Sequence, residues 1–354
     1  MPVLCQLANP DTYQVSTWNL MDSEEDAAYW LALFAGFPGR SDRYLLEDGL
    51  AGPDFSRRWL AFATEYAERL EMIRVEAERT GRLYTIDLCR FRWDMLDRHG
   101  FPDPCAGVKQ RENDVAVTLY PEVVQRVDAL AGRHRWELLL KGILAGNMFD
   151  LGSPETMAMY QRGEADFFGF LECVPARPWF IDHADVLLSG LNGRARWRQV
   201  LIFVDNSGAD IVLGVLPLAR ELGRQGLRVA LAANRTPALN DITIGELRPL
   251  LERVAGMDPV LSDLLTSGRL VAIDSGNSYP SIDLSRVSEE CDAAAAESDL
   301  IVLEGMGRAI ESNWDASFKC DVWRVAMLKD ESVVRWRGAK LFDAVCRLES
   351  PVVA

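Results

Sequence analysis

Two hydrophobic rhythms run along this chain, and one gives way to the other near residue 190. In the first half, apolar positions recur at steps of three and four. Between residues 56 and 80, Trp59, Phe62, Tyr66, Leu70, Ile73 and Ala77 hold one stripe while Glu and Arg fill the rest, which predicts a helix with one side in a core. The same spacing predicts helices over 25–36 and 83–98, the second ended by His99-Gly100 and Pro102. Pro121 suits the first turn of a helix over about 121–131, and 136–145 reads as a short, mostly apolar helix before Gly146. No convincing strand precedes residue 190, so residues 1–190 are expected to form an α-helical domain.

After Arg196 the period changes. Short apolar runs rich in branched residues occupy 199–204, 227–233, 270–273, 299–303, 322–328 and 344–348, with helical patterns such as 210–222 and 285–297 between them. Near-continuous apolar strands alternating with helices predict a mainly parallel sheet covered on both faces. Residues 191–354 are therefore expected to form a doubly wound α/β/α (Rossmann-like) domain. In such sheets ligands bind beyond the carboxyl ends of the strands. Five of the six runs finish there in polar or glycine-containing segments: Asp205-Asn206-Ser207-Gly208, Asn234, Asp274-Ser275-Gly276, Glu304-Gly305-Met306-Gly307-Arg308 and Lys329-Asp330. One such ending is a turn; five at one edge suggest a site.

Composition narrows the chemistry. The 354 residues are 49% hydrophobic and 26% charged, the balance of a globular protein long enough to bury a core without staples. Thirty-eight Lys and Arg against 53 Asp and Glu give a net charge of −15, which argues against nucleic acid and anionic membrane surfaces as partners. No run of about 18 apolar residues is present, so no membrane span is expected. The beginning of the chain lacks the pattern of a signal peptide. Seven dispersed cysteines without a C-x-x-C pair read as free buried thiols in a reducing cytoplasm. The three histidines, His99, His134 and His183, lack the i, i+4 spacing of a zinc site.

What remains is hard-oxygen chemistry. Asp205 and Asn206 offer a carboxylate and an amide carbonyl just past a strand, a pair suited to Mg²⁺ or Mn²⁺, and Asp241 is placed to add a third oxygen. By itself, Asp-Asn-Ser-Gly also reads as a turn with helix capping. Lys329 ends an apolar strand, where it suits a phosphate, and Arg308 at a helix start suits an oxyanion. Asp210 reads as a solvated acid at a helix start, with general base as its alternative role, and Glu304 is the stronger candidate for proton transfer because it ends a strand. There is no G-x-x-x-x-G-K-[ST], no G-x-S-x-G, no D-x-D after the first strand, and only a fragment of a dinucleotide fingerprint.

The segments FVDNSGADIVLGVLPLARELGRQG, ALAANRTPALNDIT, LIVLEGMGRAIESN, MLKD and KLFD resemble the damage-control phosphatase family, in particular the subfamily marked by Glu-Gly-Met-Gly-Arg. Residues 100–113 and 143–152 resemble its helical segments, and the likeness covers about 80–354. It implies a metal-dependent phosphatase with a helical domain packed on an α/β/α domain. The family's metal ligands fall on Asp205, Asn206 and Asp241, its phosphate-binding lysine on Lys329, and its signature on Glu304, Gly305, Met306, Gly307 and Arg308. Asn147 and Asp150 lie in a segment expected to face the site, as does Asn234 at the end of the second strand. The cofactor implied is a divalent ion (Mn, Ni, Co or Mg). With Asp205 committed to that ion, water is the expected nucleophile and Asp205 itself the alternative.

The resemblance also implies a small phosphorylated metabolite as partner: 4′-phosphopantetheine and its oxidised or damaged forms, which links the reaction to coenzyme A synthesis. A sugar phosphate is the alternative within the family. Two positions depart from the usual pattern: Asp330 stands in place of Asn, and Asn234-Arg235-Thr236 in place of Asn-Ser-Gly, where Arg235 is a candidate to alter substrate preference. From other classes, a methyltransferase would want an acid where Asn234-Arg235 stands. A non-catalytic metabolite-binding protein would have lost a ligand or Lys329.

Overall fold

The computed structural model describes residues 1–47, 52–148, 167–191 and 196–351. Asp150 lies outside them. The organising element is a seven-stranded sheet built from β1 (Ile181–Asp182), β2 (Gln199–Phe203), β3 (Arg228–Ala233), β4 (Leu270–Asp274), β5 (Leu300–Glu304), β6 (Asp321–Met327) and β7 (Ala344–Glu349). Their order is β1-β7-β6-β5-β2-β3-β4, parallel throughout except between β6 and β7. The chain winds outward from β2 through β3 to β4, then returns to β5 on the other side of β2. The reversal leaves a crevice between the carboxyl ends of β2 and β5, where doubly wound sheets bind ligands.

Every residue of β2, β5 and β6 is buried, which explains why these strands read as unbroken apolar runs instead of alternating ones. Their side chains divide between two cores. Val200, Ile202 and Val204 join one face, and Leu201 and Phe203 the other. Helices α1 (Glu24–Ala35), α2 (Phe37–Glu47), α3 (Pro53–Thr80) and α4 (Thr85–Arg98) contribute to the second core. Helices α5 (Ala106–Asp128), α6 (Gly132–Met148), α7 (Phe167–Cys173) and α8 (Ala184–Leu191) contribute to the first. Both cores thus draw on both halves of the chain. The later helices are α9 (Leu216–Arg224), α10 (Ile244–Ala255), α11 (Pro259–Thr266), α12 (Glu289–Glu297) and α13 (Glu331–Arg337).

Three expectations need correction. A strand does precede residue 190: β1 pairs its two residues with Val345 and Cys346, too short a run to leave a periodic signal. Pro121 does not begin a helix but sits inside α5. An interior proline costs about 3 kcal/mol. Ala116, Val117, Tyr120, Val123 and Val127 on either side of it are all buried, and at about 1.5–3 kcal/mol for each large side chain they outweigh that loss. Finally, of the seven thiols Cys173 is exposed and Cys5 half-buried, leaving five buried. No helix among the described residues is long and apolar enough to cross a membrane.

Candidate functional site

The carboxyl ends of β2, β3, β5 and β6 deliver the site. After β2 the chain turns through Asp205-Asn206-Ser207-Gly208 into a widened π-helical turn, Asp210–Val215, before α9 begins. Pro217 cannot donate to the carbonyl four residues back, and the wider turn accommodates it. A second π-helical turn, Gly307–Ser312, follows β5 and carries Arg308. Such turns concentrate at functional sites.

Asp205 is the hub. Its backbone N–H donates to Glu304 Oε2 at 2.8 Å, and its Oδ2 accepts from Asn206 Nδ2 at 3.0 Å and Asn147 Nδ2 at 3.2 Å. The Asn147 amide also donates to Asp210 Oδ2 at 2.9 Å, as does Asn206 Nδ2. Arg308, entirely buried, joins Asp205 through one guanidinium nitrogen and Asp241 through the other, the second at 2.6 Å. Asn234 Nδ2 donates to the same Asp241 oxygen at 3.0 Å. Lys329 is exposed and donates to the Asn147 carbonyl at 2.6 Å, so the strand-end lysine meets the end of α6.

The two acid-bearing loops are zipped together. Ile242 N–H donates to Asp205 O at 3.0 Å and Ser207 N–H to Asn240 O at 2.9 Å, which sets Asn206 opposite Asp241. Gly305 makes a further close approach workable. Its φ is +89°, and a Cβ there would lie 2.0 Å from Asp205 Oδ2, so only glycine fits against the carboxylate.

These contacts gather Asp205, Asn206, Asp241, Asn147, Asn234, Glu304, Gly305, Arg308 and Lys329 into one crevice. Of the two acids singled out in the sequence as metal ligands, Asp205 belongs to the closest group of carboxylates and Asp241 stands apart from it. Asp205, Asp210 and Glu304 each bring an oxygen within 4.8 Å of the others, and Arg308 ties Asp241 to the Asp205 of this group. Asp210 is therefore not the solvated helix-start acid its position suggested; it is 2% exposed, because α6 covers it through Asn147. Arg235 also differs from expectation. It points to Asp274, 2.7 Å away at the end of β4, instead of into the crevice. Met306 is half-buried, and Gly307 passes so close to Pro280 O that a Cβ would lie 2.5 Å from it.

Electrostatics follow from burial. Desolvation, then the charge of Asp205, pushes the Asp210 carboxyl up to about 6. Burial pushes Asp241 up to about 6 as well, against the pull of Arg308. Glu304 is driven well above the usual carboxylate range by burial and by Asp210 and Asp205. Glu311, on the turn after Arg308, is raised to about 8 by burial and by Asp330 and Asp205. So many buried acids call for a cation. Three buried oxygens have no donor among the described residues: Asp210 Oδ1, Glu304 Oε1 and Asn147 Oδ1. Carboxylate and amide oxygens left open in this way fit a hard divalent ion. Arg308 Nε is a buried donor without an acceptor among the described residues, and the Ser207 hydroxyl in the Asp205 loop likewise has no partner there.

Sequence reasoning weighed Asp210 as a general base but preferred a solvated role for it, missed Glu311 as a member of this neighbourhood, and assigned nothing to Lys109 or Asn113 on α5. The only signal for the last two was their position inside the 100–113 segment.

The comparisons agree with the geometry. A damage-control phosphatase of Arabidopsis thaliana is 41% identical over 319 residues, which cover 89% of this chain and 86% of that protein. A 4′-phosphopantetheine phosphatase of Mus musculus is 31% identical over 98% of this chain, and a pantothenate kinase 2 of Arabidopsis thaliana 35% identical over the same share. The chain spans only 48% and 41% of the lengths of these two. The crystal structure of a DUF89 family protein from Pyrococcus horikoshii shares the fold, with a TM-score of 0.63 and 17% identity over 92% of this chain and 97% of that one. The model of the damage-control phosphatase ARMT1-like domain matches residues 53–345. The chain therefore belongs to the damage-control phosphatase ARMT1-like family.

Proposed function

We propose that the chain is a divalent-metal-dependent phosphomonoester hydrolase acting on 4′-phosphopantetheine and its oxidised or otherwise damaged forms, in a reducing cytoplasm suited to its seven free thiols. The observation that carries the reaction class is the clustering of four buried carboxylates, those of Asp205, Asp210, Asp241 and Glu304, with donor-free oxygens beside Arg308 and Lys329. The substrate rests on the likeness to a mouse protein named 4′-phosphopantetheine phosphatase.

Asp205, Asn206 and Asp241 would hold the ion (Mn, Ni, Co or Mg), with the open oxygens of Asp210 and Glu304 available to it. When bound, a divalent ion polarises a phosphoryl oxygen and acidifies an attacking water. The chain's own residues do the rest. Asn147 bridges Asp205 and Asp210 and fixes their oxygens. Glu304 orients the Asp205 backbone. Lys329, exposed with two N–H bonds beyond the one given to Asn147, grips the phosphoryl group, and the free Nε of Arg308 adds a second donor. Both offset charge as it spreads over the phosphoryl oxygens.

The test is phosphate release from 4′-phosphopantetheine, its sulfonate and a panel of sugar phosphates. Metal-stripped chain would be used with each ion restored in turn, beside Asp205→Ala, Asn206→Ala and Asp241→Ala. Turnover that needs metal and is lost in these folded variants supports the reading. A sugar phosphate as the preferred substrate overturns the pantetheine assignment, and no turnover with any ion leaves a binding protein.

A further inference from the structure

We propose that α5 is a strut that sets the two acid-bearing loops in register, with Lys109 and Asn113 as its positioning residues. The inference rests on the phosphatase reading for its kinetic consequences, though not for its structural ones. Lys109 is wholly buried, and its Nζ lies 2.8 Å from Asp103 Oδ2 and 2.8 Å from Glu246 Oε1. The other oxygen of Glu246 accepts from the backbone N–H and the hydroxyl of Thr243, both at 2.8 Å, which caps α10 two residues after Asp241. Thr243 in turn pairs with Asn234, whose amide holds Asp241. Lys109 is thus joined through Glu246 and Thr243 to the Asp241 loop.

One turn further along α5, on the same face, Asn113 reaches the other loop. Its Oδ1 accepts from Gly208 N–H at 2.7 Å, three residues after Asp205. The helix presses against that backbone: Gly208 has φ +75°, and a Cβ there would lie 2.8 Å from the Cβ of Glu112. One rigid helix therefore grips both loops, and the bonds between Ile242 and Asp205 and between Ser207 and Asn240 depend on their relative height. Removing the ammonium would leave the half-buried carboxylates of Asp103 and Glu246 facing each other without the cation that joins them, and their repulsion would draw Glu246 away from its cap.

The test compares Lys109→Met, Lys109→Arg and Asn113→Ala with the unmodified full chain. Hydrogen exchange would be followed at residues 205–208 and 240–244 and across β2 and β3, Mn²⁺ affinity by calorimetry, and kcat apart from KM. Lys109→Met is expected to lose protection at both loops while the strands keep theirs, because loop opening is local. Loss of such an outer support weakens Mn²⁺ binding and kcat by about tenfold or more. KM should stay within about threefold, since Lys329 stands on another strand end. Lys109→Arg should recover most of each loss. If Lys109→Met fails to fold, Asn113→Ala, which keeps every charge, should expose 205–208 first. Unchanged exchange at both loops in a folded variant overturns the proposal, as does loss of protection spread evenly into β2 and β3. If the unmodified chain releases no phosphate, the phosphatase reading fails, while the exchange data still decide for or against the strut.

Discussion

Replacing Gly305 by alanine tests how closely the Asp205 carboxylate is placed. The new Cβ would lie 2.0 Å from Asp205 Oδ2, 2.5 Å from its Cγ and 2.9 Å from its Cβ. Ordinary contact begins at 3.4 Å, so the carboxylate must retreat by about 1.4 Å. That movement breaks the bonds from Asn147 and Asn206 and the pairing with Arg308. A displacement of about 1 Å at a reacting centre costs on the order of a hundredfold in rate. Backbone strain adds a separate penalty, because φ is +89°, and a suitable control exists. Gly226 has the same φ of +89° with nothing within 4 Å of its would-be Cβ. Gly226→Ala therefore isolates the strain, about 1–2 kcal/mol, and should lower Tm by a few degrees while leaving turnover intact. Both variants would be assayed for metal-dependent phosphate release and thermal melting. If Gly305→Ala hydrolyses substrate as fast as Gly226→Ala, the close packing of the signature loop on Asp205 has no catalytic consequence and the reasoning fails.

Two further outcomes follow from the same geometry. Lys329→Met should lower kcat/KM by about 10²–10³ and weaken competition by inorganic phosphate, with little change in Tm because the side chain is exposed; an unaltered kcat/KM would remove Lys329 from the site. Asp210→Asn should show a pH-dependent gain in stability in metal-free protein. Burial and the neighbouring Asp205 charge raise the Asp210 carboxyl to about 6, so the folded chain keeps a proton that the unfolded chain releases near about 4. Its contribution to stability accordingly declines as pH rises between those values and stays low above them. The Tm of the variant relative to the original should therefore climb from acid to neutral pH in the presence of a chelator. A difference independent of pH would show that the Asp210 carboxyl is not destabilised by its surroundings.

Much of this architecture is legible in the chain. Within the runs at 199–204 and 299–303, β2 and β5 are fully buried strands with apolar residues filling their middles, and their endings lie at one sheet edge because parallel connections bring both carboxyl ends to the same side. Asp205, Asn206, Glu304, Arg308 and Lys329 could thus be placed near one another without coordinates. Asp210 could not, since an acid in the first turn of a helix is usually solvated, and only α6 crossing above it makes it buried. Arg235 follows the second strand as closely as Asn206 follows the first, yet a pairing with Asp274 on the neighbouring strand turns it away.

The same division holds for the support beneath the site. Local chemistry alone dictates the helical periods, the strand runs, the capping box of Thr243 and Glu246, and the need for glycine where the backbone must turn. Which charges meet is another matter. Lys109 finds Asp103 six residues away but Glu246 across the fold, and Arg308 finds Asp205 and Asp241 on two different loops. Tyr29 finds Asp330, whose other oxygen caps α13. Sequence by itself determines elements and their exposed ends, because these depend on neighbours within a turn or two. Tertiary structure alone decides protonation, ligand grouping and loop height, because buried charges respond to whatever the fold brings within a few ångströms, however distant along the chain.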